Sequence, residues 1–305
     1  MTTTRPTELG TTGFLDPAVL ATIGNLELLA RTVVDGFLHG LHKSGRLGLS
    51  MEFAEHRPYM PGDEIRRIDW RVFARTDRYY VKEYEAETQA TVTVLLDISR
   101  SMAYGTGAIT KLDYGRYLAA CLAWFSNRQR DRSGLVLFDR DIVQQVPPST
   151  RHLRTILHAI DHLQPGTAGE FLVPLRRVAE RASRRGIMVL ISDFYEDPKR
   201  GGEAVGLLRA TGADVLAFHL LDPAELTFPF EGAATFEDLE QGERLPVVPE
   251  DQRKQYRQMM DDHLEALTRE MRAAGADYSL CDVSRPLDFV LHEYLARRHQ
   301  LRRTR

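Results

Sequence analysis

From Thr91 onward, short apolar runs of strand length alternate with longer stretches of helical spacing. The runs are TVTVLLD (91–97), GLVLF (134–138), IMVLIS (187–192), DVLAFHL (214–220) and DYSLCDV (277–283). Continuous rather than alternating apolar character is the mark of strands buried on both faces. Between them, 111–130, 151–163, 172–185, 203–210 and 251–274 read as helices, and 287–298 closes the chain as another. This predicts an α/β fold, a doubly wound, mainly parallel sheet with helices on both faces. GLVLF and DIVQQV (141–146) flank the polar turn Asp139-Arg140, so they predict a hairpin that adds one antiparallel edge strand. Residues 222–249 interrupt the alternation.

The first ninety residues are different. Leu20, Ile23, Leu26, Leu29, Val33 and Phe37 fall at helical spacing behind the opener Asp16-Pro17, predicting one amphipathic helix over 15–41. Residues 45–89 are dense in Arg, Asp and aromatics, carry the turn Pro61-Gly62-Asp63, and end in an alternating stretch, 79–87. The expected division is an N-terminal tail and helix over 1–44, a small β-rich appendage over 45–89, an α/β domain over 90–298 and a basic C-terminal tail over 299–305.

Composition narrows the function classes. With 43% hydrophobic and 27% charged residues in 305, the chain is globular. Cys121 and Cys281 are too few for a disulfide framework or a four-thiolate zinc site, which suggests a reducing compartment. The longest uncharged apolar-rich runs fall far short of the roughly 20 residues that cross a bilayer. The N-terminus has no basic start followed by an apolar run, so no secretory signal is expected and the chain reads as cytoplasmic. A net charge of −3 argues against nucleic acid as a partner.

Candidate chemistry lies at the strand ends. The first buried strand ends in Asp97-Ile98-Ser99-Arg100-Ser101; Gln164-Pro165-Gly166-Thr167-Ala168-Gly169 joins two helices; Asp193 follows the strand 187–192. Ligands of parallel α/β sheets bind outside the carboxyl ends of strands, so Asp97, Ser99, Ser101, Thr167 and Asp193 can converge. Oxygen donors without imidazole or thiolate suit Mg²⁺, or Mn²⁺ or Ca²⁺. Two carboxylates and three hydroxyls neutralise at most the ion's own charge, which leaves it electrophilic toward an external carboxylate.

This D-x-S-x-S, Thr and Asp pattern resembles the metal-ion-dependent adhesion site (MIDAS) of von Willebrand factor A domains. The resemblance implies Ser99, Ser101 and Thr167 as direct ligands, Asp97 and Asp193 as supporting groups, and a partner's acidic residue completing the shell. RPYMPGDEIRRIDWRVFARTDRYYVKEYEAE, ahead of the first buried strand, together with DRSGLVLFD (131–139) and LLDPAE (220–225), resembles the bacterial domain-of-unknown-function 58 family over most of the chain. That resemblance implies a von Willebrand factor A-like domain and, as partner, a MoxR-type AAA+ ATPase or its client. The function implied is a non-enzymatic adaptor in protein maturation or complex assembly.

Other readings stay beside this one. Asp97 as nucleophile or ligand of a metal-dependent phosphohydrolase is an alternative, although Ser99 stands where such enzymes usually have a second Asp. A scaffold with a vestigial metal site is another. Arg57, Asp63, Arg66, Arg67, Asp69, Arg71, Arg75 and Asp77 form either a partner surface or an internal ion-pair network. His158 and His162 read as a solvated helix face, and Trp70 as a packing anchor. Asp222 and Glu225 either rim the crevice or simply start a turn. No G-x-x-x-x-G-K-[ST] and no G-x-S-x-G occurs.

Overall fold

A computed structural model of the chain describes residues 16–44, 56–60, 65, 68–82, 90–167, 169–182, 185–237 and 244–303. The chain divides into two compact units, residues 1–35 with 90–305, and residues 36–89.

Two helices, α1 (Pro17–Leu20) and α2 (Leu26–Ser44), stand where the apolar spacing predicts one. Asp16 Oδ1 accepts from the Ala18 N–H at 2.8 Å, but a second cap follows: Asn25 Oδ1 accepts from the Leu28 N–H at 2.8 Å. A side chain that satisfies an orphan donor restarts the helix although the apolar spacing runs on.

In the smaller unit, β1 (His56–Pro58) and β2 (Tyr80–Lys82) pair antiparallel around a helix, α3 (Trp70–Thr76), that the sequence reading does not anticipate. Asp69 is its N-cap, accepting from the Arg71 and Val72 N–H groups, and Asp77 closes it in the left-handed conformation. Phe73 stacks on Tyr79 at 4.5 Å, and Trp70 packs edge-on against Phe73 while staying half exposed. Of the charge cluster, Asp63, Arg66 and Arg67 lie outside the described residues, as do 83–87 of the expected strand.

The larger unit runs through β3 (Thr91–Asp97), a 3₁₀ turn (Arg100–Ala103), α4 (Lys111–Arg128), β4 (Arg132–Phe138), β5 (Ile142–Ser149), α5 (Leu153–Asp161), α6 (Leu172–Arg181) and β6 (Ile187–Ser192). It continues through α7 (Pro198–Ala210), β7 (Asp214–Leu221), α8 (Pro223–Thr227), β8 (Ala234–Glu237), β9 (Arg244–Val247), α9 (Pro249–Ala273), β10 (Asp277–Asp282) and α10 (Leu287–Arg303). The expected basic tail is thus largely the end of α10. The segment 222–249, expected to be irregular, holds α8 and the β8–β9 hairpin. Helix α7 begins five residues earlier than its apolar spacing suggests, because Asp197 caps Lys199 and Arg200 and because Gly201 and Gly202 lie against Met271 and Glu270 of α9.

The six-stranded sheet has the order β10-β7-β6-β3-β4-β5, parallel throughout except for the β4–β5 hairpin at one edge. Successive side chains point to opposite faces. Leu95, Leu190 and Ala217 enter one core with residues of α6, α7 and α9. Leu96, Ile191 and Leu220 turn to the other face and meet α4. This is the von Willebrand factor A-like, doubly wound architecture. β5 carries Pro147 and Pro148 near its end, and their carbonyls accept from the side chains of Arg132 (3.2 Å) and bond that of His152 (2.8 Å).

β3 and β6 are neighbours at the centre, and their onward connections leave in opposite directions, toward β4 and toward β7. A crevice opens outside the carboxyl ends of strands at such a switch point.

Helix α4 reaches the sheet centre through Gly115, where an added Cβ would lie 3.0 Å from Leu96 Cδ1 and 3.5 Å from Ile191 and Leu220. Gly115→Val is therefore expected to destabilise the domain by about 1–3 kcal/mol through overpacking. A urea titration checks it, with a lower midpoint at an unchanged slope as the expected result.

Candidate metal centre at the strand switch point

Asp97 is the last residue of β3 and Asp193 the first beyond β6, so both carboxylates stand at the switch point, each 1% exposed. Asp97 is held on both oxygens: Oδ1 accepts from the Ser99 N–H at 2.8 Å, and Oδ2 from the Ser192 hydroxyl at 2.6 Å. Ser192 Oγ in turn accepts from the Phe194 N–H at 2.9 Å. Phe194 is fully buried with φ 49°, a left-handed conformation costly for a bulky residue, and its ring stacks on Phe171 at 5.3 Å. The strained turn thus directs Asp193 into the crevice.

The two polar loops are bolted together by backbone bonds. Gly166 N–H donates to Ile98 O at 2.6 Å, and Arg100 N–H donates to Thr167 O at 2.8 Å. Ser99 Oγ and Ser101 Oγ lie 3.1 Å apart. Asp139, just past β4, receives both the N–H and the hydroxyl of Thr167 at 3.1 Å. Gly166 is required here, because a Cβ would fall 2.6 Å from Asp139 Oδ2.

Asp193 has a partner that the sequence reading missed. Lys111, the first residue of α4 and 0% exposed, donates from Nζ to Asp193 Oδ2 at 2.8 Å and to Glu225 Oε1 at 2.6 Å. Its ammonium also sits 4.8 Å from the Tyr195 ring centroid and 5.7 Å from that of Tyr104. Burial works against this charge, but the Asp193 and Glu225 carboxylates outweigh it and hold the ammonium above the usual lysine range. Both open readings of Asp222 and Glu225 are realised. Together they form the capping box of α8, while Asp222 also accepts from the Thr106 N–H at 2.8 Å and Glu225 faces Lys111.

The DxSxS segment and the Thr167 loop are therefore joined, and Asp193 stands beside Asp97 with one oxygen committed to Lys111. Among the described residues no group of three or more His, Cys, Asp or Glu could hold a metal ion, so a cation here would depend on hydroxyls. The donor set fits a hard ion. The proton of Thr167 is committed to Asp139, leaving lone pairs on its oxygen, and the two serines add two more neutral oxygens. Asp97 is the carboxylate without a cation: among the described residues no Lys or Arg ion-pairs with it. His158 and His162, by contrast, lie with tilted rings 4.1 Å apart on an exposed helix end.

Burial foremost, and the neighbouring Asp193 charge next, push the Asp97 carboxyl up to about 7. The folded state therefore favours the protonated acid. The stability this group contributes is complete below the ordinary carboxylate range and is lost as pH rises toward 7, a change on the order of 4 kcal/mol. In the presence of EDTA, Asp97→Asn is expected to lose less stability than the parent between pH 5 and pH 8. Urea melts of both proteins across that range provide the measurement.

The family model described as "Protein of unknown function DUF58" matches residues 55–266. An uncharacterized protein of Mycobacterium tuberculosis is 32% identical over 234 residues, covering 74% of this chain and 73% of that protein. Among solved structures, an aerotolerance-related membrane protein from Bacteroides fragilis aligns with a TM-score of 0.46 at 17% identity, over 66% of this chain and 96% of that one. BatB from Bacteroides thetaiotaomicron aligns with a TM-score of 0.41 at 16% identity, over 63% of this chain and 89% of its own. Among the described residues no helix is long and apolar enough to cross a membrane. With the family match spanning most of the α/β domain and reaching into the segment before it, the chain belongs to the DUF58 family.

Proposed function

We propose that this protein is a non-enzymatic interaction module that binds a divalent cation through Asp97, Ser99, Ser101 and Thr167, and through the ion an acidic residue of a partner protein. The observation that carries this reading is the fastening of the DxSxS segment to the Thr167 loop around a buried carboxylate that no Lys or Arg among the described residues ion-pairs with. Magnesium is the first choice, with Mn²⁺ and Ca²⁺ as further occupants, because each accepts neutral oxygens beside a carboxylate. Asp193 acts from behind, one of its oxygens engaged by Lys111. The chemistry supplied by the ion is electrostatic: a residual positive charge facing an entering carboxylate.

A MoxR-type AAA+ ATPase, or its client, is the proposed partner in a cytoplasmic setting, as the resemblance described above implies. The phosphohydrolase alternative is disfavoured by Ser99, which stands two residues after Asp97 where such enzymes usually carry a second Asp.

Metal that binds only the native state raises the melting temperature as its concentration grows. The parent is expected to show this with Mg²⁺ or Mn²⁺, and Ser101→Ala and Asp97→Ala to show it weakly or not at all. Pull-downs with a MoxR-type ATPase are expected to fail with EDTA and with Asp97→Ala. Capture unchanged by either would refute the proposal.

A further inference from the structure

Two carboxylates, the buried Asp193 and the largely buried Glu225, hold one ammonium at the crevice, and the buried Asp97 stands beside Asp193. That ammonium cannot leave. The backbone N–H of Lys111 donates to Tyr104 O at 2.9 Å, the preceding Thr110 forms a capping box with Asp113, and the rings of Tyr104 and Tyr195 flank Nζ. Glu225 is equally fixed: its Oε2 accepts from the Asp222 N–H at 2.7 Å, while its backbone carbonyl accepts from the Tyr256 hydroxyl at 2.9 Å. These contacts come from four separate parts of the chain, so the charge is seated from several sides.

We propose that Lys111 is a tethered cation of the metal centre: it occupies Asp193 and Glu225 permanently and thereby sets how tightly a mobile divalent ion is held. This rests on the cation-binding reading above. Lys111 is a positioning residue, since it touches the carboxylates and not the ion. A fixed positive charge on Asp193, the neighbour of Asp97, opposes a second cation in proportion to charge and in inverse proportion to distance. It also engages one oxygen of Asp193, leaving the ion less anionic charge and a stronger pull on an external carboxylate. Glu225 acts in the opposite sense, because it takes up part of the lysine's charge.

Isothermal titration of Mg²⁺ and Mn²⁺ into the full chain tests this, with circular dichroism to confirm folding of each variant. Lys111→Met is expected to bind at least about tenfold more tightly than the parent, and Glu225→Gln about tenfold more weakly. Lys111→Arg, which keeps the charge, should stay close to the parent. If Lys111→Met does not fold, the double variant Lys111→Met/Glu225→Gln decides, because it restores the parent's net charge and should recover the affinity that Glu225→Gln loses. A purely structural lysine would weaken binding in both single variants or leave it unchanged, and that result in folded proteins overturns the inference. Should the parent bind and the variants show no opposed shifts, only the role of Lys111 falls. Binding seen in Lys111→Met but not in the parent keeps that role and removes the cation-binding reading of the native protein. Binding by neither overturns both.

Discussion

The buried contact of the Lys111 ammonium with the carboxylates of Asp193 and Glu225 is the constraint around which the crevice is arranged. Charges withdrawn from water are tolerated only when paired and hydrogen-bonded. Lys111 begins α4, Asp193 follows β6 and Glu225 belongs to α8, so this pairing ties together the central helix, a central strand and the connection after β7. Asp97 stands next to that set, held by an N–H group and a hydroxyl and, among the described residues, by no cation. A crevice whose fixed charges do not sum to zero has a built-in preference for positively charged occupants.

Its position follows from the order of the strands. In a sheet wound in both directions from its centre, the loops after β3 and β6 diverge and leave open space above their ends. The sequence then fills the rim with short hydroxyl and carboxylate side chains. The left-handed Phe194 belongs to the same economy: the unfavourable backbone is retained because its ring is locked in the core and its N–H is satisfied by Ser192.

Much of this could be read in advance, for identifiable reasons. β3 and β6 occupy the residues expected because strands buried on both faces leave uninterrupted apolar runs, and β7 differs only at its final residue. The DxSxS segment stood out because it terminates such a run. What stayed hidden depends on long-range or side-chain-specific contacts. Lys111 and Glu225 are 114 residues apart, and a lysine opening a helix has no local mark of burial. The break before α2 turns on one asparagine oxygen, the first turn of α7 on two glycines that fit against α9, and α3 on the cap supplied by Asp69 in a stretch whose charge density masks its helical spacing.

The antiparallel edge of the sheet has a consequence for how copies of the molecule can meet. Pro147 and Pro148 offer no amide hydrogens there, their carbonyls are already engaged by Arg132 and His152, and Pro148 sits so close to Gly134 that a methyl group on the glycine would lie 2.9 Å from its ring. An incoming β-strand would find no donors from these two residues, and carbonyls already engaged by side chains. Ribbon extension is therefore disfavoured at that end of the edge.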